Sequence, residues 1–408
     1  MTKRLYYQDA WLRCFEAGVT GHKEDAAGFW LSLTQSAFYP EGGGQPWDTG
    51  ALECARGRLK VLEVQADETG EVWHRVDARS EAELPPPGER LRGEIDFPRR
   101  FDHMQQHTGE HILANCVWRL TGGFTHGLHI GHEVSSIDIT LPDGAARLPQ
   151  ETLDEIESLA NDRFAEDADI VCRFPTEEEL ANLPLRKDPT VREHVRVCMV
   201  GGYEMVACGG THLSHASQVG LIKILSVQPA RGKMRLFFLC GLRAAAHYRR
   251  CYSALSQASV LLNAKPEEVP GRVSSLLLKA EDDKRELKGI RRGMTLEKAP
   301  GLLAQSVSLK GGGRLIVAEL ETVDVHAMEE LAAELIGEGN LIALLSAPAE
   351  GKTQFLFARS GDRAEDMPGL LRECGARGGG RPDFARGAGG ADALERAKAQ
   401  VLKKNKQG

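Results

Sequence analysis

Residues 1 to about 93 repeat one pattern, short apolar or alternating runs closed off by turn formers. LTQSAFYP, GALECA, RLKVLEVQA and GEVWHRVD last only a few residues each, and stretches rich in Gly, Pro, Asp and Glu separate them. Runs this brief do not reach ordinary helix length. Several in a row bury their apolar sides by closing into a small barrel or sandwich. The first domain expected is therefore an N-terminal β-barrel over 1–93.

The period then changes. In FDHMQQHTGEHILANCVWRL, Ile112, Leu113, Cys116, Val117 and Leu120 fall on one face at 100° per residue, which predicts a helix. PQETLDEIESLANDRFAED predicts a second helix. VREHVRVCMVGGYEMVACGGTH reads as strand, Gly-Gly turn and strand, and GLIKILSVQPA and KMRLFFLCG read as strands. These place a mixed α/β domain over 94–245. Residues 246–300 are helical and charged, a helical hairpin in which Pro266 and Pro270 end the first helix. Residues 301–408 alternate strands (GRLIVAEL, NLIALLSA, KTQFLFARS) with helices (VHAMEELAAELIGEG, ADALERAKAQVLKK), a C-terminal α/β domain. The fold class expected is α+β and multidomain.

With 408 residues, 42% hydrophobic, the chain can build several cores and is not a disordered sequence. No apolar run approaches the ~20 residues that cross a bilayer, and MTKRLYYQDAWLRCFEAG lacks the apolar core of a signal peptide. The 9 cysteines are scattered singly, with no CxxC pair, which fits a reducing cytoplasm. The net charge of −7 requires any nucleic-acid partner to meet locally basic patches.

His107 and His111 form H-x-x-x-H on the first helix. Residues four apart are neighbours on a helix surface, so both imidazoles can reach one ion. Both lie roughly 150–170° from the centre of the apolar stripe, facing away from the core it packs on. Alone, this spacing is more often a solvent-facing pair. Glu110 occupies the slot before the second histidine, so the zinc-protease pattern H-E-x-x-H is absent. Far downstream stands Cys208-Gly-Gly-Thr-His212, where the glycines let a thiolate and an imidazole converge; alone, it reads equally as a buried thiol beside a surface histidine. Together the pairs offer three histidines and one cysteine, a borderline donor set suited to Zn²⁺.

H-x-x-x-H followed at long distance by C-G-G-T-H resembles the editing domain of alanyl-tRNA synthetases and the free-standing AlaX-type trans-editing proteins. Three more stretches agree in order. Ser36-Ala-Phe-Tyr-Pro-Glu-Gly-Gly-Gly-Gln45 with Asp48-Thr-Gly50 resembles the family's glycine-rich signature, and Ser135-Ser-Ile-Asp-Ile139 resembles its strand after the helix. Gly378-Gly-Gly-Arg-Pro-Asp-Phe-Ala-Arg-Gly-Ala-Gly-Gly390 resembles the C-terminal module shared with DHH phosphoesterases, the layout of the long AlaX type. Two departures stand out. Ser36 replaces the family's Thr, bearing on pocket shape. Thr-Gly-Glu between the histidines replaces Thr-Ala-Thr, a change expected to alter only a surface.

The resemblance implies a zinc-dependent aminoacyl-tRNA deacylase that hydrolyses serine, or glycine, from mischarged alanine tRNA in trans. Zn²⁺ would be held by His107, His111, Cys208 and His212, with His107, His111 and Ser36 as the catalytic group. Ser36 would hydrogen-bond the serine hydroxyl, since a site that must bond a hydroxyl rejects the analogue lacking it. Gly43, Gly44, Gln45 and His129 would complete substrate binding, although the Gly42–Gln45 segment reads equally as a plain turn. Four protein ligands close a tetrahedron, so coordination expands, one ligand is loose, or the metal mainly orients substrate. His126, His129 and His132, spaced by three, form a less rigid alternative metal group because of Gly127 and Gly131. Asp102 and Asp138 are expected to be supporting carboxylates.

For tRNA, the basic candidates are Arg231, Lys233 and Arg235, joined by Arg243, Arg249 and Arg250, and Arg377, Arg381 and Arg386 in the C-terminal glycine loop. Lys284, Arg285, Lys288, Arg291 and Arg292 read as a solvated helix face. The C-terminal domain is expected to bind the tRNA body and to form a homodimer. Ser346-x4-Gly351-Lys352-Thr353 imitates a P-loop, but its first glycine is missing and a strand follows. No Asp-His-His motif occurs. The chain opens at the barrel with no room before it for a synthetase catalytic domain, so ATP-dependent activation of alanine is not expected. Two rivals remain: a non-catalytic tRNA-binding protein with a structural zinc, and a general metallohydrolase of small esters or amides.

Overall fold

In the computed structural model, residues 1–405 are described except 190, 192, 311, 322, 323 and 350. They form two compact units, Met1–Gln257 and Ala258–Gly408.

The short runs of the first unit close into a barrel. Its strands follow one another around the wall as Cys14–Asp25, Gly28–Leu33, Val72–Val76, Gly57–Ala66, Gly50–Cys54 and Arg90–Ile95. Alternation decides what fills it. Leu31, Leu33, Leu52, Val61, Val64 and Leu91 point inward with Phe15 and Phe38, and their polar neighbours face out.

A helix, Phe97–Thr121, leaves the barrel directly. Asp96 caps its start, Pro98 sits in its first turn where no amide bond is lost, and Gly122 ends it in a left-handed conformation (φ 66°). The barrel and helix are locked by Arg100. Its buried guanidinium is paired with the buried Asp48 carboxylate and donates to the carbonyls of Ala10 and Ala37 at 2.8 and 2.6 Å. The apolar side of the helix, Ile112, Leu113, Cys116 and Val117, packs on an antiparallel sheet of strands Ile222–Ala230, Lys233–Cys240, Ser135–Thr140 and Phe124–Ile130. A smaller antiparallel sheet is made by Ile170–Arg173, Val197–Val200 and Glu204–Ala207. Its Val197–Glu204 turn is the expected Gly-Gly hairpin.

In the second unit a mixed six-stranded sheet runs Val307–Ser308, Arg314–Glu319, Leu341–Ala349, Lys352–Arg359, Phe384–Gly389, Arg377–Arg381. The parallel pair Arg314–Glu319 and Leu341–Ala349 is bridged by the helix Val325–Gly337, whose Leu331, Ala332 and Leu335 cover the sheet. Two expectations change. The glycine stretch after Arg377 is a β-hairpin at the sheet's edge, not a loop, so alternate amides are tied into a ladder and do not form a free nest. Gly378 and Gly380 fit because a Cβ there would strike the carbonyls of Arg386 and Phe384. Pro270 does not end a helix; it sits in the first turn of Val269–Leu296. Lys352 and Thr353 begin a strand, as the P-loop argument required. Among the described residues no helix is long and apolar enough to cross a membrane.

Candidate metal centre and adjoining cavity

The Phe97–Thr121 helix is buried along His103–Val117 on every side. The histidines therefore do not face solvent. His107 and His111 turn away from the apolar stripe, as their phase requires, but that side is covered by the Cys208–His212 segment. The rings of His107, His111 and His212 lie with centroids 5.3, 4.6 and 4.7 Å apart. Cys208 Sγ sits 3.3 Å from His107 Nε2 and 3.2 Å from His212 Nε2. One donor atom from each of the four residues lies within 4.8 Å of every other.

Two of the three imidazoles, those of His107 and His212, are oriented by a named partner. Gln45 Oε1 accepts from the Thr211 amide at 3.1 Å while its Nε2 donates to Thr211 Oγ1 at 2.8 Å, so the amide cannot be flipped. That same Oε1 stands 2.9 Å from His107 Nδ1. A carbonyl oxygen can only accept, so Nδ1 carries the proton and Nε2 presents its lone pair to the cluster. Gln45 thus ties the two glycine-rich segments together. Thr108 Oγ1 accepts from the Leu213 amide at 3.1 Å and pairs with His212 Nδ1 at 3.2 Å. Arg196 clamps the C-G-G-T-H turn by donating to the carbonyls of Cys208 and Gly210 at 3.1 and 2.8 Å. Gly210 is demanded by packing, because a Cβ there would overlap the His107 ring.

Burial keeps the cluster uncharged. It lowers the His107 pKa to about 3, holds His111 and His212 well below the ordinary imidazole value, and pushes Cys208 up to about 12. His111 Nδ1 is buried without a hydrogen-bond partner among the described residues. Neutral imidazoles, an orphaned ring nitrogen and a thiol that only a cation would ionise here are the donor set a borderline dication takes. The residues fit Zn²⁺.

The cluster forms the floor of a cavity of about 460 Å³. His107, His111 and Cys208 open onto it; Tyr39, Gly43, His126 and Leu128 form part of the walls. Glu110 also lines it, so the Thr-Gly-Glu departure is not on a surface. Thr108 orients His212, Gly109 has no room for a Cβ against Cys240 Sγ, and Glu110 is buried in the cavity wall. Its carboxylate has no hydrogen bond among the described residues, and burial raises its pKa to about 7 against the opposing pull of Arg186.

Other expected residues lie elsewhere. Ser36 is not among the cavity's lining residues. It is fully buried in the barrel, 2.7 Å from His74 Nε2, and accepts from the Phe38 amide at 3.1 Å. Gln45 lies behind His107 and Gly44 behind the wall; a Cβ on Gly44 (φ +83°) would strike the Leu128 carbonyl. His129 is exposed on its strand and does not line the cavity, whereas His126 of the same strand does. His126, His129 and His132 form no metal-type cluster among the described residues. Arg235 is held by Asp138 at 2.6 and 2.9 Å, and Arg243 is held by Asp102 and the Gly131 carbonyl. Arg386 pairs with Glu329 at 3.2 Å and Arg381 lies 3.6 Å from Asp383. Arg377, Arg231 and Lys233 carry no ion pair among the described residues. The sequence reading overlooked Arg4, Arg186 and Lys187 on the cavity wall. Arg4 follows Lys3 in a two-residue strand and Arg186 adjoins Lys187, pairs too short for the sequence to mark as a basic patch.

Comparison with known proteins finds relatives among tRNA synthetases and an editing protein. Residues 195–236 match the family described as "Threonyl and Alanyl tRNA synthetase second additional domain", and residues 15–99 match "tRNA synthetases class II (A)". The chain is 32% identical over 424 aligned positions to the alanine–tRNA ligase of Pyrobaculum calidifontis, covering 98% of this chain and 44% of that one. It is 28% identical over 397 positions to the alanyl-tRNA editing protein AlaX-L of Pyrococcus horikoshii, covering 95% of this chain and 94% of that one. A domain titled C-Ala from Aquifex aeolicus alanyl-tRNA synthetase aligns to 24% of this chain and 96% of its own at 19% identity, with a TM-score of 0.23, too slight a likeness to bear on fold. The chain thus spans less than half the length of the ligases it matches. Behind a small barrel, residues 195–236 resemble a synthetase-type second additional domain. More particularly, the chain is similar over nearly its whole length to the alanyl-tRNA editing protein AlaX-L of Pyrococcus horikoshii.

Proposed function

We propose that this chain is a trans-acting deacylase that hydrolyses the ester of mischarged alanine tRNA, releasing serine or glycine. The observation that carries the reading is the convergence of H-x-x-x-H and C-G-G-T-H at the floor of an open cavity whose wall holds Arg4 and Lys187 beside Glu41, Glu110 and Asp188. His107, His111, Cys208 and His212 would hold Zn²⁺. When bound, the ion would polarise an ester carbonyl and lower the pKa of water. The chain's own residues supply the rest. Gln45 and Thr108 fix the ring orientations of His107 and His212. Glu110, in the wall with its carboxylate 3.8 Å from His111 Nε2, accepts from the aminoacyl ammonium and holds the ester over the cluster. Arg4 and Lys187 attract the phosphates nearest the acceptor end. Ser36 is assigned no contact with substrate, since its hydroxyl is spent on His74.

Domain boundaries at 93, 245 and 300 belong to the same proposal, with 301–408 as the part that binds the tRNA body and dimerises. So does a cytoplasmic setting. The four-residue donor set also favours a second reading, a tRNA-binding protein whose zinc is structural, because four protein ligands leave no open position. The deciding experiment offers seryl-, glycyl- and alanyl-tRNA side by side to protein of measured zinc content, with His107→Ala as control. Loss of serine, sparing of alanine and an inert control support editing. No deacylation by zinc-loaded protein supports the structural-zinc reading.

A further inference from the structure

Behind the metal cluster, away from the cavity, lies a second group of soft donors. Cys172 and Cys198 stand directly opposite each other on the antiparallel strands Ile170–Arg173 and Val197–Val200. Their sulfurs and one His212 nitrogen are all within 4.8 Å of one another. The register shows which kind of pair this is. The Gly201 amide donates to the Asp169 carbonyl at 2.8 Å, so 169 and 201 are a hydrogen-bonded pair. Such pairs alternate with non-hydrogen-bonded ones, and three steps along the ladder Cys172 and Cys198 fall on a non-hydrogen-bonded position. There Cα atoms approach to about 4.5 Å, inside the roughly 4.4–6.8 Å that a disulfide spans. Opposed residues of a strand pair also share a face, so no backbone rotation is needed to bring the sulfurs together.

Access is asymmetric. Cys198 is fully buried, whereas Cys172 is part-exposed and lines a separate groove of about 280 Å³ with Arg196 and His212. The groove shares Tyr6 and Tyr7 with the cavity's lining but none of the cavity's basic residues, and the cationic Arg196 favours an anionic thiolate or an anionic reagent there. This is the arrangement of an attacking thiol with a resolving partner behind it.

We propose that Cys172 and Cys198 are a thiol–disulfide modification site, oxidised by low-molecular-weight disulfides that enter this groove. The Cys172 thiolate attacks one sulfur of the reagent; that S–S bond breaks and the departing thiolate takes up a proton. Cys198 Sγ then attacks Cys172 Sγ, the second reagent sulfur leaves as its thiolate, and that thiolate takes up the proton Cys198 gives up. Two protein thiols are oxidised and one disulfide is reduced to two thiols. The bond staples the strand leading into Arg196 and Cys208 and leaves Cys208 untouched. The site is independent of the editing reading, because neither thiol lines the cavity.

The test treats the full zinc-loaded chain with oxidised glutathione and maps peptides without reduction. A Cys172–Cys198 cross-link, reversed by dithiothreitol, with zinc retained, is expected. In Cys198→Ser the same treatment should leave a stable glutathione adduct on Cys172, and in Cys172→Ser no adduct should form at Cys198. Cross-links that involve Cys208, zinc release in step with oxidation, or a lasting Cys172 adduct in the unaltered chain would each overturn the proposal. Comparable circular dichroism of the variants and the parent guards against reading misfolding as chemistry.

Discussion

Gln45 shows how much one neutral side chain can carry. Its amide makes three bonds at once, to His107, to the Thr211 amide and to the Thr211 hydroxyl. Replacing it by Leu keeps the volume and removes all three, freeing the His107 ring to rotate and change tautomer. Loss of an outer partner of this kind weakens metal binding by roughly 10–100-fold. Gln45→Leu should therefore lose zinc to a competing chelator in that range while unfolding cooperatively. Unaltered zinc affinity would mean that packing alone orients His107. Ser36 belongs to a different circuit. His74 Nδ1 faces the Leu31 carbonyl at 3.0 Å and must donate, so the neutral ring accepts from Ser36 through Nε2. Burial lowers the His74 pKa to about 4. In the unfolded chain the imidazole titrates near 6.5, so below that pH the unfolded state binds the proton first. The associated stability is complete above about pH 6.5 and drains away as pH falls towards 4, by up to about 3 kcal/mol. The drop in melting temperature between pH 7.5 and 5 should shrink in His74→Gln relative to the parent. Ser36→Ala should lower stability by about 1–3 kcal/mol, the cost of an unpaired buried acceptor, without changing the ratio of serine to alanine hydrolysis.

At the scale of elements, the central helix explains both what the sequence made visible and what it hid. Its existence, its apolar stripe and the opposite placement of His107 and His111 follow from the 3.6-residue period alone. So did the barrel, because alternating runs with turn formers admit few other closures. The period cannot say what covers a polar face. A helix with one apolar stripe ordinarily turns its other side to water, and this one turns it to a metal-type cluster and a cavity instead. That is why Thr108, Gly109 and Glu110 looked like surface positions, and why Ser36, which matched a motif, was placed in a pocket it does not reach. Lys187 and Arg4 were invisible for the opposite reason: only tertiary folding gathers them. Gly109 offers a direct test of the buried face. Ala is the better helix former, worth about 1 kcal/mol on an exposed helix. Here its methyl would collide with Cys240 Sγ, and overpacking costs about 1–3 kcal/mol. Gly109→Ala should thus destabilise the protein in denaturant titration. A rise in stability would show that the helix face is open at this point.

At the scale of the molecule, a net charge of −7 sets the problem of binding a polyanion. The long-range field is mildly repulsive, so any attraction has to be local and should weaken steeply with salt. Many basic residues of this chain are already spent on carboxylates, as Arg235, Arg243 and Arg386 are. Arg377 differs. It begins an edge strand that is exposed along its whole length, Arg377–Arg381, in the second unit's sheet. Such an edge gives a cation a firm mount with glycines on either side of the ladder, and a firm mount reduces the entropy lost when a phosphate is gripped. If 301–408 holds the tRNA body as proposed, Arg377→Glu should raise KM for aminoacyl-tRNA several-fold with kcat nearly unchanged, since the substituted residue belongs to another unit than the cluster. The dependence of log KM on log salt should also flatten by roughly one phosphate contact. A Lys187→Glu variant separates this from the cavity's own field: it should lower kcat as well, because Lys187 stands in the wall where the ester is held. If Arg377→Glu left KM and salt dependence intact while Lys187→Glu changed both, the tRNA would be held by the first unit alone.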